Sequence, residues 1–314
     1  MIFGMERCRA SSIRMSGTAR FERKGGDMRL NPKWGFATAA LWICVAAHAQ
    51  RGPAADRPYL PVDQALEQLK GMIPRNSGDQ LGALAPANLN AERPEPPFDL
   101  TGTWFVDLAS KGFGDFRFGP PYPEFIGQAA EDFAEGQRIA AQGGTYRDAI
   151  GQCYPAGVPM IMTRVWPIMM VQLPTVIYMV TNFNNSFRQI FLDGRDYTDP
   201  NTVIYTYNGQ SLGHWEDDTL VVDTRYIETW NHYIDSGIPI SENFRVQERM
   251  RLVEDGKVLE IEYIMTDPNN WVGEWRSKKR WLRVDHTDIG EVECLPDLND
   301  NLPSTQAGQV GLEN

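Results

Sequence analysis

Histidine and cysteine are scarce, four of each in 314 residues, which leaves little material for a clustered metal centre. Several motifs are missing altogether. The chain has no Gly-rich phosphate loop, no dinucleotide-binding fingerprint, no zinc-hydrolase helix motif and no Gly-x-Ser-x-Gly elbow. Nucleotide use and serine-hydrolase chemistry therefore have no support in the sequence, and no cofactor or metal is implied. Positive charge is also in short supply, with 30 basic against 41 acidic residues and a formal net charge of −11. Such a surface repels phosphate backbones, so nucleic-acid binding is not expected, and attraction to an anionic bilayer is disfavoured.

The N-terminus reads as a removable leader. Residues 34–49, WGFATAALWICVAAHA, follow Arg29 and Lys33 and end in Ala47-His48-Ala49. Small residues at the two positions a signal peptidase inspects predict cleavage after Ala49, with Met28 as the natural start. The run is too short for a membrane span, so no stable insertion is expected after cleavage. The location this predicts is periplasmic or secreted. Removing eight basic and three acidic residues from 30 and 41 leaves 22 and 38, a net charge near −16.

The same cut leaves Cys153 and Cys294. An even pair in an exported protein is most simply a disulfide, with two buried free thiols as the alternative. The bridge would tie the opening of the core to its last strand.

What is present points to one β-rich domain at 100–298, a proline-rich arm at 50–99 and a flexible tail at 299–314. In the arm, 62–72 predicts a short helix, after which Pro74, Pro86 and Pro94-Glu95-Pro96-Pro97 deny continuous hydrogen bonding. A second helix is expected from Pro123 to about Ala141, stopped by Gly143-Gly144. Strands are expected at 101–108, 176–180, 186–192, 203–207, 219–222, 244–252, 258–265 and 274–284, from β-branched and aromatic content. Asn184-Asn185, Asp217-Asp218 and 254–257 read as turns. Between 170 and 284 no helix long enough for a crossover is expected, so the sheet should be antiparallel. The fold class is therefore all-β, an antiparallel barrel or strongly curled sheet with one or two peripheral helices. A β-sandwich is the alternative. Gly102-Thr103-Trp104 resembles the Gly-x-Trp that begins lipocalin-like or calycin-like barrels. In those folds a late arginine lies over the tryptophan, a role expected here of Arg276 or Arg280.

A second resemblance rests on several motifs together. Cys153-x-Pro155-x-Gly157-x-Pro159, Asp193-Gly194-Arg195, Asn208-Gly209, Gly213-His214-Trp215-Glu216, the run 218–224 and Glu248-Arg249 resemble a family of exported bacterial proteins over about residues 98–298. That family is abundant in proteobacteria that degrade aromatic, steroid-like and terpenoid compounds, and its motifs name no enzyme class. Its members read Asp-Gly-Arg-x-His-Pro and Gly-His-Trp-Glu-Gly-Asp. Here Tyr197 stands at the histidine position and Asp217 at the glycine position, which counts against paired histidines and against metal binding.

Strand alternation puts His214 and Glu216 on one face, with Trp215 opposite. A histidine and carboxylate so placed can share a proton and act as a general base. Equally, the segment can simply shape a tight hairpin. Arg195, in the charged loop with Asp193, and Arg249 are candidates for holding an anion, and Tyr197 for donating a proton. His232 lies in the longest later loop and is a secondary acid/base candidate. Tyr178, Tyr205, Tyr207 and Trp230 are candidates for lining a pocket.

The chemistry these residues predict is cofactor-independent acid/base catalysis, an isomerase, cyclase or hydratase acting on a hydrophobic small molecule. A periplasmic binding or carrier protein for a hydrophobic ligand and an envelope structural protein are the alternatives. The sequence carries no signal of oligomeric state.

Overall fold

The computed structural model describes residues 59–110, 117–147, 149–235 and 237–295. The leader at 1–49 and the tail at 299–314 lie outside the described residues. Residues up to Ile73 form a unit of their own. Its described part contains α1, Val62–Leu69, with Asp63 in the first turn, where a carboxylate favours the helix dipole.

The second unit, from Pro74 onward, carries every strand among the described residues. In chain order these are β1 Gly102–Val106, β2 Glu124–Phe125, β3 Ile168–Gln172, β4 Val176–Thr181, β5 Ser186–Phe191, β6 Gln210–Glu216 and β7 Thr219–Arg225. There follow β8 Tyr233–Asp235, β9 Ile238–Pro239, β10 Arg245–Val253, β11 Val258–Thr266, β12 Trp271–Val272 and β13 Trp275–Val284. Nine of them close into one barrel in the order β1-β13-β11-β10-β7-β6-β5-β4-β3, with β3 returning to pair with β1. The short pairs β2–β12 and β8–β9 lie outside it. The all-β barrel expectation holds, in general terms a lipocalin-like or calycin-like architecture, and the sandwich alternative does not.

The wall follows from period-two patterning. On β10, Val246, Glu248 and Met250 are buried while Arg249 and Arg251 point out; on β11, Leu259, Ile261, Tyr263 and Met265 are buried. Burying one such apolar side chain contributes about 1.5–3 kcal/mol. The interior is filled rather than hollow, with Trp104, Trp275, Trp281, Tyr263 and Phe118 all at 1% exposure or less.

Three expectations need correction. First, β5 and β6 run parallel, with Ile190 opposite Ser211 and Phe191 opposite Leu212, so the barrel is mixed. The excursion 192–209 carries the chain back to its starting end without a helix, which is what a parallel neighbour requires. Second, the strand expected at 203–207 does not form; it is reduced to a single bridge between Thr206 and Ile227. Third, the arginine over Trp104 is Arg283, 4.4 Å from the ring centroid, not Arg276 or Arg280. Alternation along β13 explains this: Trp275, Lys279 and Trp281 are buried, which puts Arg283 on the same side and the two even-numbered arginines outside. Glycine suits position 102, because its φ of 148 is one that side chains rarely adopt and a Cβ would also stand 2.8 Å from Arg283 Nη1. Arg283 then donates to the Thr101 carbonyl at 2.6 Å and to the Gly256 carbonyl at 3.1 Å, closing that end.

The rest of the unit wraps this barrel. The arm after Pro74 forms α2, Pro86–Leu89, and is held by Thr175 Oγ1 donating to the Ala83 carbonyl at 2.7 Å. Beyond β2, α3 runs from Gly127 to Ala140 and buries Ala129, Asp132, Gly136 and Ile139. Phe125 and Phe133 meet at 4.6 Å, and Phe125 also abuts Trp271 and Trp275. Cys153 and Cys294 form a disulfide, as expected, with Cα atoms 5.8 Å apart. No helix among the described residues is long and apolar enough to cross a membrane.

Candidate functional site

The β6–β7 hairpin turns at Asp217, which takes the left-handed backbone (φ 50) such a turn demands. His214 and Glu216 share a face, as alternation predicts, and His214 Nε2 lies 3.2 Å from Glu216 Oε1. The face is the outer one. Their side chains are 57% and 47% exposed, and Arg249 from β10 joins the same carboxylate at 2.9 Å. His214, then Arg249, holds the Glu216 carboxyl below its ordinary range. Trp215 points the other way and packs edge-on against Phe98, with ring centroids 4.8 Å apart. Of the neighbours Glu248 and Arg249, the carboxylate enters the barrel and the arginine stays on the wall.

That wall carries a groove of about 440 Å³ bordered by Arg249, Arg251, Glu260, Glu262, Lys278 and Arg280. Its charges alternate strand by strand and are largely spent on one another. Glu216 pairs with Arg249, and Arg280 pairs with Glu254 and, at 3.4 Å, with Glu260. Exposed pairs of this kind contribute about 0–1 kcal/mol each.

The other candidates are dispersed. Asp193 and Arg195 form a two-pronged pair at 2.8 and 2.6 Å, and Arg195 stacks 3.8 Å over Phe191. Asn88 donates to Asp193 at 2.8 Å and Arg195 reaches the Leu81 carbonyl at 3.3 Å. The Asp-Gly-Arg loop is thus a clamp for the arm. Tyr197 donates its hydroxyl to the Asp223 carbonyl at 2.7 Å, and burial pushes its pKa up to about 12. Its proton is already engaged, and Arg225 lies 4.4 Å over its ring. Tyr205 meets Tyr226 near the surface, Tyr178 sits half-buried on the wall, and Trp230 is 67% exposed. Tyr207 donates to the Trp230 carbonyl at 2.9 Å, and its ring lies 5.5 Å from His232. His214, Arg195 and Tyr197 therefore belong to separate contact networks.

Inside the barrel stands a charged group that sequence reasoning missed. Arg188 on β5 is 3% exposed and pairs through both terminal nitrogens with the fully buried Glu248. It also donates to Ser211 Oγ at 3.1 Å and Thr224 Oγ1 at 3.0 Å, and those hydroxyls lie 2.8 Å apart. The network is satisfied, which makes it architectural. Tyr263 lies in the same core with its hydroxyl unpartnered, and burial, then the Glu248 charge, raises its pKa well above the ordinary value.

A second hollow lies beside β8, with a volume of about 140 Å³. Four segments build it: Arg117; Thr145, Arg147, Ala149 and Ile150 beyond α3; Pro155, Ala156, Met160 and Arg164; and Asn231, His232, Tyr233 and Asp235. The disulfide at Cys153 anchors the third segment beside Pro155. His232 is 2% exposed, its Nδ1 donating to the Glu228 carbonyl at 2.7 Å. Burial lowers its pKa to about 4, so the ring is neutral at physiological pH. Gly157 of the Cys-x-Pro-x-Gly-x-Pro motif is required there. Its φ is 62, and a Cβ would stand 2.6 Å from His232 Nε2. On the outer side, Arg147 Nη2 donates to the buried Asp132 at 3.1 Å, and Arg117 lies 3.7 Å from Asp235. Arg147 itself takes a left-handed backbone (φ 49). Lys279, reaching from the barrel interior, donates to the Arg117 carbonyl at 2.6 Å. In the sequence the hollow was signalled by His232 and by the Cys-x-Pro-x-Gly-x-Pro motif; its arginines carry no motif.

Among the described residues no group of three or more histidines, cysteines or carboxylates is placed to hold a metal ion. Compared with known proteins, the chain matches no family model and no curated sequence.

Proposed function

We propose that this protein is a binding or carrier barrel, holding a small molecule in the hollow beside β8 and returning it unaltered. One observation carries the reading: a 140 Å³ cavity whose walls come from four separate chain segments, apolar on Ala149, Ile150, Pro155 and Met160 and polar on Arg117, Arg147 and Arg164. Its lining is mixed, about as polar as apolar, so polar groups that can orient a ligand stand beside an apolar seat, and a cavity of about 150 Å³ accepts a benzene ring. The hydrophobic ligand expected from the sequence is thereby reduced to a ring-sized body. Acid/base catalysis through His214 and Glu216 loses support, because that pair stands on the exposed outer wall with Arg249. Export to the periplasm or beyond remains part of the proposal, supported by the leader pattern and by a disulfide that persists in oxidising compartments. The motifs that resemble those of exported proteins in aromatic-degrading bacteria would suit a ring-shaped ligand.

One observation favours an envelope structural role instead: the barrel interior is filled by tryptophans and a satisfied ion pair. Thermal unfolding of the disulfide-bonded protein with a panel of small aromatic and alicyclic compounds separates the readings. A ligand at about 100 times its Kd should stabilise by about 2.7 kcal/mol. That gain should vanish in Ile150→Trp, which fills the hollow, and mass spectrometry should recover the ligand unchanged. Conversion of the compound to product, or an undiminished gain in Ile150→Trp, contradicts the proposal.

A further inference from the structure

We infer that the turn between β4 and β5 is a bracket that holds Cys153 and Cys294 side by side whether or not they are bonded, so that their disulfide can open and re-form within the folded chain. The inference is independent of the binding reading above. Cysteines 141 residues apart meet in an unfolded chain only against the entropy of a long loop. A fold that keeps the two thiols adjacent removes that cost in advance, and the gain is read as an effective concentration. What the fold must supply is a grip on each cysteine-bearing segment that does not pass through sulfur.

Asn184 and Asn185 supply it. Thr181 on β4 pairs with Ser186 on β5, and between them both asparagines take the left-handed backbone (φ 52 and 45), which asparagine tolerates better than most residues. Their amides reach different segments. Asn184 Nδ2 donates to the Tyr154 carbonyl at 2.9 Å, one residue past Cys153. Asn185 Nδ2 donates to the Val292 carbonyl at 2.8 Å, and its Oδ1 accepts from the Val292 N–H at 2.9 Å, two residues before Cys294. One turn thus touches both sides of the bridge. The Cys153 segment is fixed further by its own backbone: Cys153 N–H donates to the Ile150 carbonyl and Tyr154 N–H to the Ala149 carbonyl, each at 3.0 Å. The Cys294 segment has less of its own. Beyond Val284, where β13 ends, the chain to Leu295 forms no regular structure, so side-chain bonds such as those of Asn185 carry its placement. Both cysteines are half-buried, which leaves the bond within reach of an external thiol.

Closure moves two electrons. The two thiols lose their protons, the sulfur–sulfur bond forms, and an external disulfide such as oxidised glutathione leaves as two thiols; opening is the reverse. The test equilibrates the full chain with reduced and oxidised glutathione, after Cys8→Ser and Cys44→Ser so that one pair exchanges, and counts free thiols following an acid quench. In the folded chain the effective concentration of the pair should exceed its value in concentrated urea by at least about a hundredfold. Asn184→Gly and Asn185→Gly keep a turn that glycine adopts freely and remove the amides. Each should lower the folded-state value by about threefold to tenfold, the worth of one or two hydrogen bonds, and the double variant should lower it more than either. The value in urea should stay the same throughout. A turn that is merely structural would weaken the bonded and dithiol forms alike and leave the effective concentration where it was; that result in the double variant overturns the inference. A dithiol chain that unfolds, read as an effective concentration equal to that in urea, overturns it as well. Should the double variant fail to fold, Asn185→Asp decides, since it keeps an acceptor for the Val292 N–H and loses the donor: the effective concentration should fall, and an unchanged value overturns the inference.

Discussion

At the scale of single residues, burial and a neighbour's backbone decide most roles. His232 is the clearest case. The folded protein holds its pKa at about 4, against an ordinary 6.5, because protonation would place a charge in a sealed wall. As pH falls, the unfolded chain takes up this proton near 6.5 and the folded chain only near 4, so protons favour unfolding. The stability is fully present above pH 6.5 and is lost progressively down to pH 4, in total about 3 kcal/mol. Urea unfolding at stepped pH checks this: His232→Gln should flatten the slope between pH 6.5 and 4.5, and an unchanged slope removes His232 as its source. The sequence revealed His214 and Glu216 as a same-face pair because alternation requires it. It did not reveal which face, since a half-polar strand reads the same from either side until its neighbours are known. The same limit placed the tryptophan-capping role on Arg276 or Arg280, when alternation from the buried tryptophans of β13 leads to Arg283.

At the scale of elements, strands with clear alternation were legible and those defined by their partners were not. β10, β11 and β13 were found within a residue or two, because buried and exposed positions alternate along them. β3, Ile168–Gln172, was missed: it is an apolar run without alternation that becomes a strand by pairing with β1 and β4. The parallel β5–β6 pair was missed because its connection is a loop rather than a helix. Across those elements Arg188 and Glu248 join β5 to β10 through the barrel interior. Glu248→Gln should cost about 3–5 kcal/mol, since it leaves a buried guanidinium without its counter-charge. Replacing Arg188 and Glu248 together by Met should recover most of that loss, because the pair's desolvation penalty disappears with it. Chemical denaturation of the three variants checks the pattern; a double variant no better than Glu248→Gln contradicts the view that the pair is architectural.

At the scale of the whole molecule, a closed wall, a filled interior and a small polar-lined hollow divide the labour. The barrel removes exposed strand edges, the Asp-Gly-Arg clamp ties down the arm, and the disulfide closes a span of 141 residues, worth about 5 kcal/mol in chain entropy. That bridge also fixes the segment carrying Pro155, Ala156 and Gly157, so scaffold and hollow are coupled through one short motif. Fold and disulfide were readable from composition and spacing. The hollow was not, because Arg117, Arg147 and Arg164 come together only through loops whose course no local pattern dictates. The most direct measurement is a titration of isotope-labelled protein with a small aromatic compound that raises its thermal stability, following the Arg147 Nε–H and His232 ring signals by NMR. Both should shift together and saturate, while the signals of His214 on the outer wall stay still. Movement at His214 with Arg147 and His232 silent would contradict it.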